Sequence, residues 1–482
     1  MILGLWLLAG AVQAETASQQ QLQFKTGALP DSWTVCASAC GTDKAVATRL
    51  FDQGKGLRIV VPGDAAATAR LASLAWRQDP QVAEDGRRWI SESEDPAIPA
   101  RVYVHIPAGG HLATIDVSLP AGALLEIATG EGFIPEQLPG FGSFYSSVNV
   151  VSVSSAGQIR YEPGDEPQVA VTAAAGEWFG VRNRFWAWLW QSAEDPFSVE
   201  IDQSIENQPV LRFRPPAGSQ RLSFHVYAGP VARAELLEVA PELGELLFAA
   251  LWDWLRLLCT GMLLLLEGIH GLVGNYGVAI ILLSLAVKVL MWPLTAVADR
   301  WQAQVNAIQS RLKPALDEIK ANYKGEEAHD RTLAVYREHG VHPMYTFKSL
   351  AGFLIQIPVF IAAFDMLGEN FALGQAEFLW VADLAKPDRW ALLPWALPFF
   401  GQHLNLLPFL MTILSTVAAW LQRDASLSPE LMRQQQIRLY LMAAAFFVLF
   451  YTFPAGMVLY WASNNLFHLL KVLFSAAINK NR

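Results

Sequence analysis

Residues 276–295 read YGVAIILLSLAVKVLMWPLT, and the architecture of the chain turns on this stretch. About 20 residues at 1.5 Å of helix rise each are enough to cross the hydrocarbon core of a bilayer. One residue breaks the apolar pattern. Lys288 lies about two-thirds of the way along, and the stretch holds no acidic residue to neutralise it. An ammonium at that depth costs roughly 2.5–3.5 kcal/mol on insertion scales. Ser284 precedes Lys288 by four residues and Trp292 follows it by four, so all three share one helix face. That face is expected to look into a wet, protein-lined cavity. The blander reading is snorkelling. Thr295 is seven residues further on, about 10 Å of rise, and a lysine stem partly covers that distance.

The whole chain supports a membrane assignment. It has 482 residues, 53% hydrophobic and only 16% charged, too apolar for an ordinary soluble protein of that length. The excess is uneven. Residues 1–235 hold 17 Lys and Arg against 25 Asp and Glu, a net −8, which is nearly all of the chain's −9. An acidic soluble region argues against DNA or RNA as its partner. Cys259 lies in an apolar stretch and reads as a small buried residue. Cys36 and Cys40 are separated by three residues in VCASAC. With their domain exported, a local disulfide is the expectation. A metal site needs more ligands, and no matching Cys/His pair follows.

Residues 1–14, MILGLWLLAGAVQA, are too short to span and end in the small residues a signal peptidase needs. They read as a cleaved signal peptide or as a short first membrane segment. Either exports the residues after it. Residues 15–235 alternate polar and apolar with period two, as in LRIVV at 57–61, RVYVHI at 101–106 and LSFHVYA at 222–228, with PAGG, LPAG and PPAG between such runs. This is a β-sandwich pattern. It contains no Ser–His–Asp order, phosphate loop or paired-carboxylate motif, and His105, His111 and His225 read as ordinary strand residues. EWFGVRNRFWAWLW at 177–190 departs from alternation and reads as core packing, with a partner-binding ridge as the alternative.

Residues 246–270 are interrupted by Asp253, Arg256 and Glu267 and fit an interfacial amphipathic helix. The membrane core is expected over 271–476. Its cytoplasmic helical hairpin covers 297–348, bends at KGEE (324–327), and carries eight Lys and Arg against seven Asp and Glu. Further spans fall at 350–367, with Gln356 in its middle and Pro358 as a kink, then at 404–421, 439–453 and 457–474. A surface segment fills 369–395, a basic loop 422–438, and a short cytoplasmic tail 477–482. All the strongly basic connections fall on one side, so that side is cytoplasmic and the sandwich is outside.

Several stretches resemble the YidC/Oxa family of membrane protein insertases: VGNYGVAIILLSLAVKVLMWPLT (273–295), FLIQIPVF (353–360), FLWVADLAKPD (378–388) and FPAGMVLYWASNN (453–465). Upstream, GEWFGVRNRFW (176–186) and VYAGPV (226–231) resemble the end of the family's periplasmic domain in Gram-negative bacteria. The resemblance implies a five-helix core around a groove closed to the periplasm, in the bacterial inner membrane. It implies a groove charge at Lys288, where arginine is usual, polar groove positions at Ser284 and Gln356, and an aromatic one at Trp461 beside Tyr460. It also implies nascent membrane proteins as clients, delivered by the ribosome alone or beside the Sec translocon, in contact with membrane lipids and without catalysis or cofactor. Thr452 stands where the family commonly has tryptophan, and residues 1–150 match the usual periplasmic domain poorly. There are two alternatives: a specialised assembly factor for few clients, and a channel or transporter with Lys288 as an anion site. No inverted repeat of broken helices supports the second.

Overall fold

The computed structural model describes residues 19–24, 29–38, 40, 46–73, 76–83, 86–96, 98–162, 168–192, 195–421 and 429–480. The expected signal peptide lies outside them. The chain forms two compact units, Met1–Glu136 with Ser146–Leu247, and Gln137–Tyr145 with Phe248–Arg482. The first is β-rich and the second mainly helical.

In the first unit, β1 (Gln20–Gln23), β2 (Ser32–Cys36) and β3 (Ala47–Phe51) make a small sheet. The other elements are β4 (Leu57–Val60), α1 (Ala65–Ser73), β5 (Trp76–Ala83), β6 (Gly86–Ser93), β7 (Arg101–Pro107), β8 (Leu112–Ser118), β9 (Leu124–Ala128), β10 (Asn149–Ser154), β11 (Gly157–Tyr161), β12 (Gln168–Ala173), β13 (Trp178–Arg182), β14 (Trp186–Ser192), β15 (Phe197–Asp202), β16 (Val210–Arg214), β17 (Arg221–Pro230) and α2 (Arg233–Val239). A nine-stranded sheet runs β11-β10-β13-β14-β17-β8-β7-β6-β5, and a five-stranded one β12-β15-β16-β9-β4. β7 and β8 bury every second residue, as the period-two pattern predicts. The two sheets pack through Trp190 and Phe224 against Phe197 and Phe213, with ring centroids 5.2–5.6 Å apart.

β14 is buried on both faces. Trp188 and Trp190 are on one side, while Ala187 and Leu189 join a cluster with Leu236, Leu243 and Leu246 on the other. Double-sided burial is why the 177–190 stretch cannot alternate, and it is core, as its composition suggested. The same cluster extends the β-rich unit to Leu247, beyond the expected boundary at 235. Cys36 and Cys40 are disulfide-bonded.

His105 and His225 are strand residues that both pair with Thr114. His111 is different: it lies in the β7–β8 turn, 1% exposed, with Nε2 3.4 Å from Glu235 Oε2. Burial pushes its imidazole from the ordinary 6.5 down to about 4. An unfolded chain therefore takes up this proton first as pH falls. The stability held above pH 6.5 is lost progressively down to about pH 4, by about 3 kcal/mol. Glu235, whose carboxyl burial raises, works in the opposite sense and trims the loss. Thermal melts at pH 7, 5 and 4 are expected to show the unit weakening with acid. A His111→Phe chain with the same pH slope would disprove this assignment.

In the second unit, α3 (Asp253–Val273) and α4 (Tyr276–Asn322) are both long and apolar enough to cross a membrane by composition. Left-handed Gly274 ends α3, and the Asn275 side chain accepts from Val278 N to cap α4. The expected interfacial helix at 246–270 thus starts later and runs further. α4 corrects a second expectation: the first span and the first arm of the hairpin form one helix of 47 residues, passing through Pro293 and Pro314. A proline removes one ladder hydrogen bond, and the turns on either side carry the helix past it. α5 (Gly325–Glu338) follows the bend at Tyr323 and Lys324. Then come α6 (Ala351–Glu369), a hairpin of β18 (Ala391–Leu397) and β19 (Gly401–Leu404), α7 (Leu406–Leu421), α8 (Pro429–Phe450) and α9 (Ala455–Lys480). The second half of the expected 422–438 loop is therefore helix. The hairpin lies where the sequence suggested only a surface segment and the start of a span.

Residues 137–145 are built into this helical unit although they come from the β-rich half of the chain. Gly142 N donates to Thr452 Oγ1 at 3.1 Å, and Tyr145 OH donates to Met457 Sδ at 3.5 Å. A Cβ on Gly142 would stand 2.5 Å from Thr452 O, so only glycine allows the approach.

Candidate functional site

α9 is the central helix of the second unit. It packs on α4 along one side and on α7 along the other, while α7 also packs on α8. The polar residues of α9 cluster in its middle, Ser463, Asn464, Asn465 and His468. Asn464 faces α4. Lys288 Nζ donates to its side-chain Oδ1 at 2.7 Å and to its backbone oxygen at 3.2 Å. Asn465 faces α7, where its Nδ2 donates to Ser415 Oγ at 2.7 Å. Ser463 turns its hydroxyl back to Leu459 O, satisfying it locally.

The Lys288 charge is hydrogen-bonded but not neutralised. Among the described residues no carboxylate lies within ion-pair distance of it. Asp299, further along α4, pairs instead with Lys471 at 3.3 Å. His468 sits within the field of both Lys288 and Lys471. A lone cation held by a neutral amide remains available to an incoming anion, whereas one paired to a carboxylate does not.

Beside this, a cavity of about 210 Å³ opens between α7, α8 and α9. Trp461, Asn465, His468 and Ser415 line it together with Met442 and Phe446. Trp461 packs edge-on to Phe360 of α6 at 4.7 Å and lies 5.7 Å from Phe450 of α8. The cavity therefore has an aromatic wall and a polar wall.

The expected site residues are distributed unevenly around it. Along the Ser284–Lys288–Trp292 row, Ser284 is buried, Lys288 half-buried and Trp292 exposed, so the shared face emerges from the packed unit along the helix. Ser284 Oγ is buried with no hydrogen-bond partner among the described residues. Gln356 is exposed on α6, with no hydrogen bond to Lys288 among the described residues. Tyr460 is buried behind Trp461, its ring 5.8 Å away, so it supports the wall rather than lining the cavity. Asn464, Asn465, His468 and Ser415 were not singled out from sequence. The signal for the first three was present: with Ser463 they put four polar side chains into six residues, 463–468, at the same cost that made Lys288 conspicuous.

The loops that hold α7 and α9 explain two of the sequence motifs. Asp388, buried, accepts from Leu406 N at 2.7 Å, Leu407 N at 2.9 Å and Trp380 Nε1 at 3.1 Å. It is thus both the anionic cap of α7 and the anchor of the 378–388 loop. The turn into α9 docks on the same loop, with Ala455 N donating to Lys386 O at 2.7 Å and Gly456 N to Leu384 O at 2.8 Å.

Comparison with known proteins bears on this unit. Residues 268–482 match the family model described as 60Kd inner membrane protein. The match contains α4, α7, α8 and α9, and hence every residue of the site. Membrane protein insertase YidC of Francisella tularensis subsp. novicida (strain U112) is 31% identical over 254 residues, 52% of this chain and 41% of that protein. Membrane protein insertase YidC of Francisella philomiragia subsp. philomiragia is 30% identical over 259 residues, 53% and 42% respectively. The chain spans about two-fifths of the length of these curated relatives. An active YidC insertase crystal structure with the first transmembrane domain resolved is similar over 94% of this chain and 90% of that one, at 18% identity and a TM-score of 0.37.

Proposed function

From the match of residues 268–482 to the family model described as 60Kd inner membrane protein, we propose that this chain belongs to the YidC/Oxa family, inserts nascent proteins into the bacterial inner membrane and helps them fold. The observation that carries the reading is Lys288: a cation on an apolar helix, held by the neutral Asn464 and left without a counter-ion among the described residues. A polar, charged notch part-way into the bilayer lowers the cost of bringing a client's hydrophilic tail across. The fixed cation draws in acidic residues of that tail. The work is done by solvation and charge, with no bond made or broken.

In this reading α4, α6, α7, α8 and α9 span the membrane. The distal part of α4, α5 and the link between α7 and α8 face the cytoplasm, following their lysines and arginines, and the β-rich unit is periplasmic. Ribosomes, with or without the Sec translocon, deliver the clients. The curated relatives match only about half of this chain, which favours a second reading: an assembly factor for few clients that uses the β-rich unit to bind them.

Photocrosslinkers at Trp461 and Ser415, with lipid-facing Leu264 as control, separate the two. Ribosome-bound nascent membrane proteins of many kinds are expected to crosslink at Trp461 and Ser415 and not at Leu264. Crosslinks to one or two clients only would favour the assembly factor, and equal crosslinking at all three positions would sink the groove.

A further inference from the structure

The hydrogen bonds around Lys288 give Asn464 a role beyond packing. An ammonium has three protons and no lone pair. Two of them go to the two oxygens of Asn464, at 2.7 and 3.2 Å. Because the lysine only donates, the amide must present Oδ1 to it, and this sets the orientation of the Asn464 side chain. Its NH2 end is then left beside the ammonium as a second donor. Among the described residues neither this amide nitrogen nor the third ammonium proton has a further partner. The nearby titratable groups add no net negative charge. His468 and Lys471 lie on the same helix face as Asn464, and the Asp299 carboxylate is engaged by Lys471.

We propose that Asn464 is a positioning and specificity residue. It fixes Lys288 Nζ against α9 and, with the remaining ammonium proton, offers a two-donor socket for a single side-chain carboxylate of the client. The proposal rests on the insertase reading and deepens it, assigning the discrimination between acidic and neutral clients to residue 464. Neutral oxygens hold the lysine without cancelling its charge, so the clamp costs the site none of its attraction for an anion. An aspartate at 464 would hold the lysine equally well, but it would neutralise it and repel the client's carboxylate. The socket is thus sensitive to one atom of residue 464.

The test uses the full chain in proteoliposomes with a matched client pair, differing by Asp or Asn at one position of the translocated tail. The unmodified chain is expected to insert the Asp client more efficiently. Asn464→Asp is expected to reduce insertion of the Asp client on the order of tenfold more than insertion of the Asn client. Asn464→Ala, which keeps the backbone oxygen and adds no charge, is expected to erode the preference several-fold. Lys288→Met is the control for the underlying reading. If Lys288→Met preserves the Asp preference, the charged-groove reading itself fails. If Lys288→Met abolishes it but both Asn464 variants retain it, the groove stands and the role of Asn464 is overturned. Equal losses on both clients in the Asn464 variants would also overturn it, since that is the signature of a merely structural residue.

Discussion

Replacing Lys288 by alanine or methionine is expected to reduce insertion of clients with acidic translocated tails on the order of tenfold or more. Lys288→Arg is expected to retain most of the activity. Removing one partner from a desolvated charge pair typically costs about 2–5 kcal/mol, and every 1.4 kcal/mol is tenfold in a rate or equilibrium. The lower end applies to Lys288, because it is half-buried rather than enclosed and a wet notch screens the pair. Lys288→Met separates charge from stem, since it keeps most of the apolar length that packs beside α9. Arginine keeps the charge but spreads it over a planar fork, so it meets the two Asn464 oxygens in a different geometry. Quantifying protease-protected product for a panel of clients of graded tail charge checks the prediction. If Lys288→Met slows neutral-tailed and acidic-tailed clients alike, the cation is a structural group and the electrostatic mechanism is wrong.

Asp388→Ala is expected to destabilise the helical unit by about 3 kcal/mol, at the upper end of what a single substitution ordinarily costs. Loss of a capping carboxylate costs about 0.5–2 kcal/mol. The Trp380 indole N–H loses its acceptor as well, and a donor left unsatisfied costs about 1–3 kcal/mol more. All three donors converge on the same oxygen, Oδ2. Asparagine at 388 retains one such oxygen, so Asp388→Asn is expected to recover much of the loss and to forfeit mainly the favourable charge at the start of α7. Thermal unfolding of the purified chain in detergent orders the three forms: the unmodified chain first, Asn second, Ala last. If Asn and Ala are equally unstable, charge is what matters and the convergent acceptor is not. Because the same loop receives the start of α9, partial loss of Asp388 is also expected to loosen the helix that carries Asn464.

Much of the fold was legible without a structure. Period-two runs such as RVYVHI announce strands because successive side chains point to opposite faces, and β7 and β8 obey them. The apolar stretch around Lys288 announces a long apolar helix because some twenty residues carry one charge, and α4 contains it. VCASAC announces the Cys36–Cys40 pair. Other features were legible only in part. The stretch at 177–190 signalled burial by composition while hiding its strands, since β13 and β14 bury both faces and lose the alternation that marks a strand. The separation expected between the first span and the hairpin at 297–348 is absent, because α4 runs through Pro293. Asn464 and Asn465 lay in a motif noticed for its resemblance rather than for its chemistry.

By itself, then, the sequence determined the kinds of element and the one conspicuous charge. These follow from local periodicity and from the cost of placing each side chain, and both are properties of a short stretch. Only the tertiary structure decided what that charge touches. Lys288 and Asn464 are 176 positions apart, and Asp388 caps a helix that begins 18 positions later. Residues 137–145 leave the strands around them to pack on α6 and α9. No periodicity encodes such pairings. They are chosen by the packing of whole helices, which brings one face of α9 against α4 and leaves a neighbouring face to line a cavity.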